Sequence, residues 1–182
     1  KIENISSFDV LAYVLIEFIK KNFNEYSYKF ILNIINCQVD ENSMHKSYNI
    51  LEHAKFINNL NEIKNILLFF KFNSLGLLNN KILAMTSLLS AYKHSDLSLP
   101  LFNGCNNNHN TQINNIIEKE QFLKNIELKT SKNGVTIYKD QNKTLFFDVV
   151  QPTKFSFNKD LFAGSLALEI SAGNEKIITN CG

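Results

Sequence analysis

The apolar period of this chain changes near Pro100, and that change limits the fold more than any single motif does. Before it, apolar residues recur every three to four positions, the spacing of helices buried on one face. Phe8, Leu11, Leu15, Phe18 and Ile19 form one such stripe, on a helix predicted to run to residue 23 with Ser7 as its N-cap. Tyr28, Ile31, Ile34 and Ile35 begin a second, shorter stripe. A polar break over 38–47 separates it from Leu51, Ala54, Ile57 and Leu60, and a further set, Ile63, Ile66, Leu67 and Phe70, follows Asn58-Asn59. Residues 74–78 interrupt the pattern, and Ile82, Met85, Leu88, Leu89 and Tyr92 mark a last helix ending before Ser95. Short links between successive helices imply antiparallel helical pairs, the local signature of a bundle or an α/α toroid.

Beyond Pro100 the chain reads differently. A polar loop over 103–110 and a short helix over 112–122 precede three predicted strands, 126–130, 135–139 and 144–150. Lys132-Asn133-Gly134 and Asp140-Gln141-Asn142 supply the turns, and Pro152 ends the third strand. Leu166, Leu168 and Ile170 then alternate with Ala167 and Glu169, turn chemistry follows over 171–174, and 176–179 start another strand. A hairpin at the chain end lacks the partners that would bury its apolar face, so the chain is expected to be a fragment. The expected class is α+β: helical hairpins over 1–110, then antiparallel strands over 111–182.

Composition narrows the function classes. Apolar residues make up 45% of the chain, enough for a packed core rather than disorder. All 19 basic residues are lysine, and asparagine is abundant, a bias that an AT-rich coding sequence explains. A net charge of +2 is too small to imply nucleic acid as a partner. No apolar run is long enough to span a bilayer. Cys37, Cys105 and Cys181 are widely spaced and lack metal-ligand spacing, so they read as free or buried thiols, and neither a metal nor any other cofactor is expected.

Ala163, Gly164, Leu166, Glu169, Ser171, Lys176, Ile178, Asn180, Cys181 and Gly182 fit a pattern that resembles the opening of the β-sheet domain in the heparinase II/III-like polysaccharide lyases; Phe162 stands where that family has His. His94-Ser95-Asp96 and Leu101-Phe102-Asn103-Gly104 resemble the elements that close its helical domain. Lys132-Asn133-Gly134-Val135, Leu145 to Asp148 and Pro152 resemble its next strands. The resemblance implies an α/α toroid followed by a β-sandwich, a periplasmic or cell-envelope location, and β-elimination on a uronic-acid-containing acidic polysaccharide. Elimination removes a proton α to the carboxylate and expels the C4 oxygen. It therefore needs donors for the developing charge, a base and an acid.

The segment from Gln38 to Asn49 resembles the family loop that lines the active-site groove. Two registers fit, one matching Asp40 and Ser47 with Ile50 at the family Tyr position, the other matching His45 and Ser47 with Tyr48 as the nearest phenol. His45 and Tyr48 are the expected catalytic pair, and Asp40, His94 and Asn103 the expected substrate contacts. Each has a plainer reading: His45 as a solvated loop histidine, Tyr48 as a packed helix-start residue, Asp40 as a cap or turn, His94 as a helix C-terminal histidine. His53, beside Glu52 and Lys55, is expected to be exposed, and His109 lies in the Asn-rich loop. Phe has neither donor nor titrating nitrogen, so Phe162 also fits a weakened or inactive relative that binds glycan. A helical interaction domain with a β appendage is the remaining reading.

Overall fold

The computed structural model describes residues 5–101, 103–105, 108, 110–118, 134–149 and 166–180. The strand expected at 126–130, together with Pro152, Phe162, His109 and Cys181, lies outside them. Among these described residues, five helices come first: α1 (Ser7–Ile19), α2 (Glu25–Gln38), α3 (Ile50–Phe69), α4 (Gly76–Ala91) and α5 (Asn110–Glu118). Four strands follow, β1 (Val135–Lys139), β2 (Lys143–Asp148), β3 (Leu168–Ala172) and β4 (Glu175–Ile178). The chain is therefore mixed α+β, as its change of period implies.

Side-chain caps set the helix starts. The cap of α1 is Ser6, one residue ahead of the expected Ser7, because Asp9 three positions into the helix completes a reciprocal capping box with Ser6. Asn24 caps α2, and Asn49 caps α3 by accepting from the Leu51 and Glu52 amides at 2.8 and 3.1 Å. The two apolar sets around Asn58-Asn59 lie on one unbroken helix, since Ile57, Leu60, Ile63 and Leu67 stay on its buried face. Helix α3 is the centre of the helical layer, with α1, α4 and α5 packed on it and α5 also on α4.

The strands form an antiparallel meander in the order β1-β2-β3-β4. Strand β2 ends at Asp148, two residues short of expectation. Cross-strand pairing sets Ile137 opposite Phe146 and Phe146 opposite Glu169. All three are buried, which makes them one row on the inner face of the sheet. Phe146 is the centre of that row: its ring meets the His94 ring edge-on at 4.8 Å and lies 6.2 Å from the Tyr92 ring. The core is thus continuous from the helices through Tyr92 into Val135, Ile137 and Phe146 of the sheet.

Candidate functional site

The segment between α2 and α3 is polar in sequence but tightly held. The Asp40 carboxylate accepts from the Asn42 and Met44 amides at 2.9 and 2.8 Å, closing a side-chain turn. Asp40 N donates to the Met44 carbonyl, and Val39 pairs with His45 in an antiparallel bridge. The Lys46 ammonium donates to the Cys37 carbonyl at 2.6 Å, tying the loop to the last turn of α2. A loop fixed this way spends little entropy on holding its side chains in place.

Tyr48 is buried and sits at φ 52°, a left-handed conformation uncommon for an aromatic residue. Its phenol donates to the second Asp40 oxygen at 3.3 Å. Burial, with the Asp40 carboxylate beside it, pushes the phenol up to about 12, so it is a protonated donor at neutral pH.

His45 is half-buried against the Phe56 ring of α3, with ring centroids 5.1 Å apart. Its Nδ1 lies 2.8 Å from the Ser47 hydroxyl and accepts from the Ser47 amide at 3.3 Å. An amide N–H can only donate, so in the neutral ring the proton sits on Nε2. Burial, with the Lys46 charge nearby, lowers the imidazole to about 4. At neutral pH the loop thus holds two groups in their protonated forms, the His45 Nε2–H and the Tyr48 phenol, the latter donating to Asp40. Such groups can stabilise developing negative charge or protonate a leaving oxygen.

Two residues that sequence reasoning did not place at the site join it. Tyr92, at the end of α4, is buried, and its phenol is pushed up by burial and by the charges of Asp148 and Asp40. It brings the loop, α4 and β2 into one electrostatic neighbourhood. The other is His53, expected to be exposed but only 1% accessible. The missed signal is its helical phase: it shares the face of Ile50, Ala54, Ile57 and Leu60, and that outweighs its charged sequence neighbours.

The expected substrate contacts do not all converge on this loop. His94 is buried in the seam between helices and sheet, its Nε2 2.9 Å from Glu169 Oε2 and its Nδ1 2.8 Å from the Ser171 hydroxyl. Both ring nitrogens are occupied by β3, so His94 joins the two layers and offers no further nitrogen to a ligand. Glu169 Oε1 accepts from the Leu101 amide, and Asn180 Nδ2 donates to the Leu101 carbonyl at 3.0 Å, which fixes the segment leading to Asn103. Asn103 is buried at φ 51°, and its Nδ2 has no partner among the described residues. Asp40 alone of the three contacts the expected catalytic pair, through Tyr48.

Among the described residues, no three His, Cys, Asp or Glu side chains are grouped so as to hold a metal ion. Nor is any described helix long and apolar enough to cross a membrane.

No protein-family model matches the sequence, and no curated protein matches it either. Solved structures do. The crystal structure of heparan sulfate lyase HepC from Pedobacter heparinus matches 97% of this chain with a TM-score of 0.65 at 15% identity. A crystal structure of heparinase III matches 98% of it with a TM-score of 0.61 at 10% identity. The chain shares a fold with these lyases. It spans about a third of their length, 32% of HepC and 34% of heparinase III.

Proposed function

We propose that this chain is part of a heparinase II/III-like polysaccharide lyase that cleaves uronic-acid-containing acidic polysaccharide by β-elimination. The observation that carries the reading is the fold: helices and sheet together superpose on heparan sulfate lyases over 97% of the chain. In this reading the helices belong to an α/α toroid, the sheet opens a β-sandwich, and the protein works in the periplasm or cell envelope. The loop from Asp40 to Tyr48 lines the groove. His45 donates through Nε2–H toward the charge that builds on the substrate, and Tyr48 leaves its bond to Asp40 to give its proton to the departing C4 oxygen. The base that takes the C5 proton comes from another segment of the full-length protein. Asp40 orients the phenol through the bond already described. Asn103 is a candidate for a sugar hydroxyl or carboxylate, because its buried Nδ2 has a donor to give.

The test is the ultraviolet absorbance of the unsaturated uronate product, measured on the full-length protein across acidic polysaccharides, with His45→Ala and Tyr48→Phe alongside. Loss of a proton-transferring group lowers kcat by roughly 100- to 10,000-fold. Product formation unchanged by both substitutions would remove His45 and Tyr48 from the chemistry.

One observation favours a second reading, a relative that binds glycan without cleaving it. Elimination needs a base, and the Tyr48 phenol is held protonated by burial and the Asp40 carboxylate, while the accepting nitrogen of His45 is taken by Ser47. Glycan binding without any unsaturated product would establish that reading over the first.

A further inference from the structure

We infer that His53 is a positioning residue: locked as the Nε2–H tautomer between α4 and the loop, it fixes the main chain of His45 and so the direction of that ring. The inference rests on the proposed role of the loop, but its geometry can be tested without it.

Two partners decide the tautomer. The His45 amide, which can only donate, lies 3.1 Å from His53 Nδ1. The Met85 carbonyl, which can only accept, lies 2.9 Å from His53 Nε2. Nδ1 is therefore the bare nitrogen and Nε2 carries the proton. A protonated ring would satisfy Met85 but present an N–H to the His45 N–H. A ring with its proton on Nδ1 would satisfy neither. One imidazole thus joins three elements, the loop, α3 and α4, and it works in a single protonation state.

The consequence falls on His45. Its amide is held by His53, its carbonyl accepts from the Tyr48 amide at 2.9 Å, and its ring is held by Ser47 and by Phe56 one turn beyond His53 on α3. Holding amide and carbonyl together leaves the Cα–Cβ direction of His45 little freedom, and the same carbonyl carries the link to Tyr48. A histidine that served packing alone would have no reason to accept from the main chain of the candidate catalytic residue. The titratable group facing His53 is His45, with Lys46 next to it on the loop; α4 contributes the Met85 carbonyl. No step in the proposed chemistry uses the His53 ring itself.

Substitutions separate the two bonds. In His53→Asn the side-chain oxygen falls near the Nδ1 position and can accept from the His45 amide but cannot reach Met85. In His53→Gln the longer amide reaches toward Met85 and leaves the His45 amide without its acceptor. The experiment is nitrogen NMR of the histidine rings in the wild-type protein, with amide hydrogen exchange at His45 in all three proteins. The expected results are a neutral Nε2–H ring for His53 at neutral pH, near-wild-type exchange at His45 in His53→Asn, and exchange at least about tenfold faster in His53→Gln. A His53 ring protonated on Nδ1, or equal exchange at His45 in the two variants, would overturn the inference. If the protein forms unsaturated product, kcat should fall in His53→Gln and recover in His53→Asn with KM little changed; equal kcat in the two would overturn the positioning role. Predicted NMR results in a protein that forms no product on any uronate polysaccharide would support the geometry and remove the lyase reading, so the two failures are distinct.

Discussion

His53 and His94 are buried almost equally, at 1% and 2% accessibility, yet they hold the molecule together in different ways. His53 lies between a main-chain donor and a main-chain acceptor, neither of which can change its role, so its environment permits one neutral tautomer. His94 lies between a carboxyl group and a hydroxyl, both of which can adapt, and it joins two layers that are 75 residues apart in sequence. The comparison teaches that burial does not assign a histidine's function: its partners do. Fixed main-chain partners make a positioning device of the loop, whereas side-chain partners make a clamp of the seam.

The largest effect should come from the clamp. Glu169→Ala removes the acceptor of both His94 Nε2 and the Leu101 amide in a fully buried site, and should cost about 3–5 kcal/mol, read from denaturant midpoints. Glu169→Gln keeps the volume and one acceptor and should cost about 1–3 kcal/mol. Equal losses would show that the seam depends on both carboxylate oxygens together, and that keeping the side chain's volume and one acceptor stabilises nothing.

Acid should act on the loop. The folded-state value of His53 is lowered by burial from 6.5 to about 4, so on acidification the unfolded chain takes up a proton before the folded one does. Its contribution to stability is constant above 6.5, falls as pH drops from 6.5 toward 4, and levels off below, for a total of about 3 kcal/mol. Urea midpoints across that window, in wild type and in His53→Asn, check it. A variant with the wild-type slope would contradict the assignment to His53.

Smaller effects sharpen the account. Asn49→Ala removes the cap of α3 at the point where the loop enters the helix, and should cost about 1 kcal/mol of unfolding free energy. Tyr48→Phe breaks one 3.3 Å bond to Asp40, and should cost no more than about 1 kcal/mol while lowering kcat far more than stability. If stability and activity fell together, Tyr48 would be structural rather than catalytic.

Much of the fold was legible because its signals are local. The stripes ending in Ile19, Ile35, Phe70 and Tyr92 marked four helices, although α1 stops at Ile19 rather than residue 23 and buries Val10 and Val14 while Phe8, Leu15 and Ile19 stay exposed; alternation set β1 at its observed bounds. What escaped required knowledge of the rest of the molecule. Asn58-Asn59 is a weak local break, overridden because Ile57, Leu60, Ile63 and Leu67 are buried on either side of it in a helix packed by α1 and α4. His53 was misjudged from its charged neighbours, although its phase on α3 carried the answer. The pairing of His94 with Glu169 has no local trace, because strand alternation marks Glu169 only as a residue facing away from Leu168 and Ile170. At the loop, the resemblance brought His45, Tyr48 and Asp40 together, whereas the protonation states that limit their chemistry emerged only from burial, neighbouring charges and the Ser47 amide in the folded chain.

The most direct test of the central claim is amide NMR of the full-length protein titrated with a uronic-acid-containing acidic oligosaccharide. The account predicts saturable shifts concentrated at Asp40, His45, Ser47 and Tyr48, weakened in His53→Gln. Saturable shifts confined to other surfaces, with this loop unmoved, would contradict it.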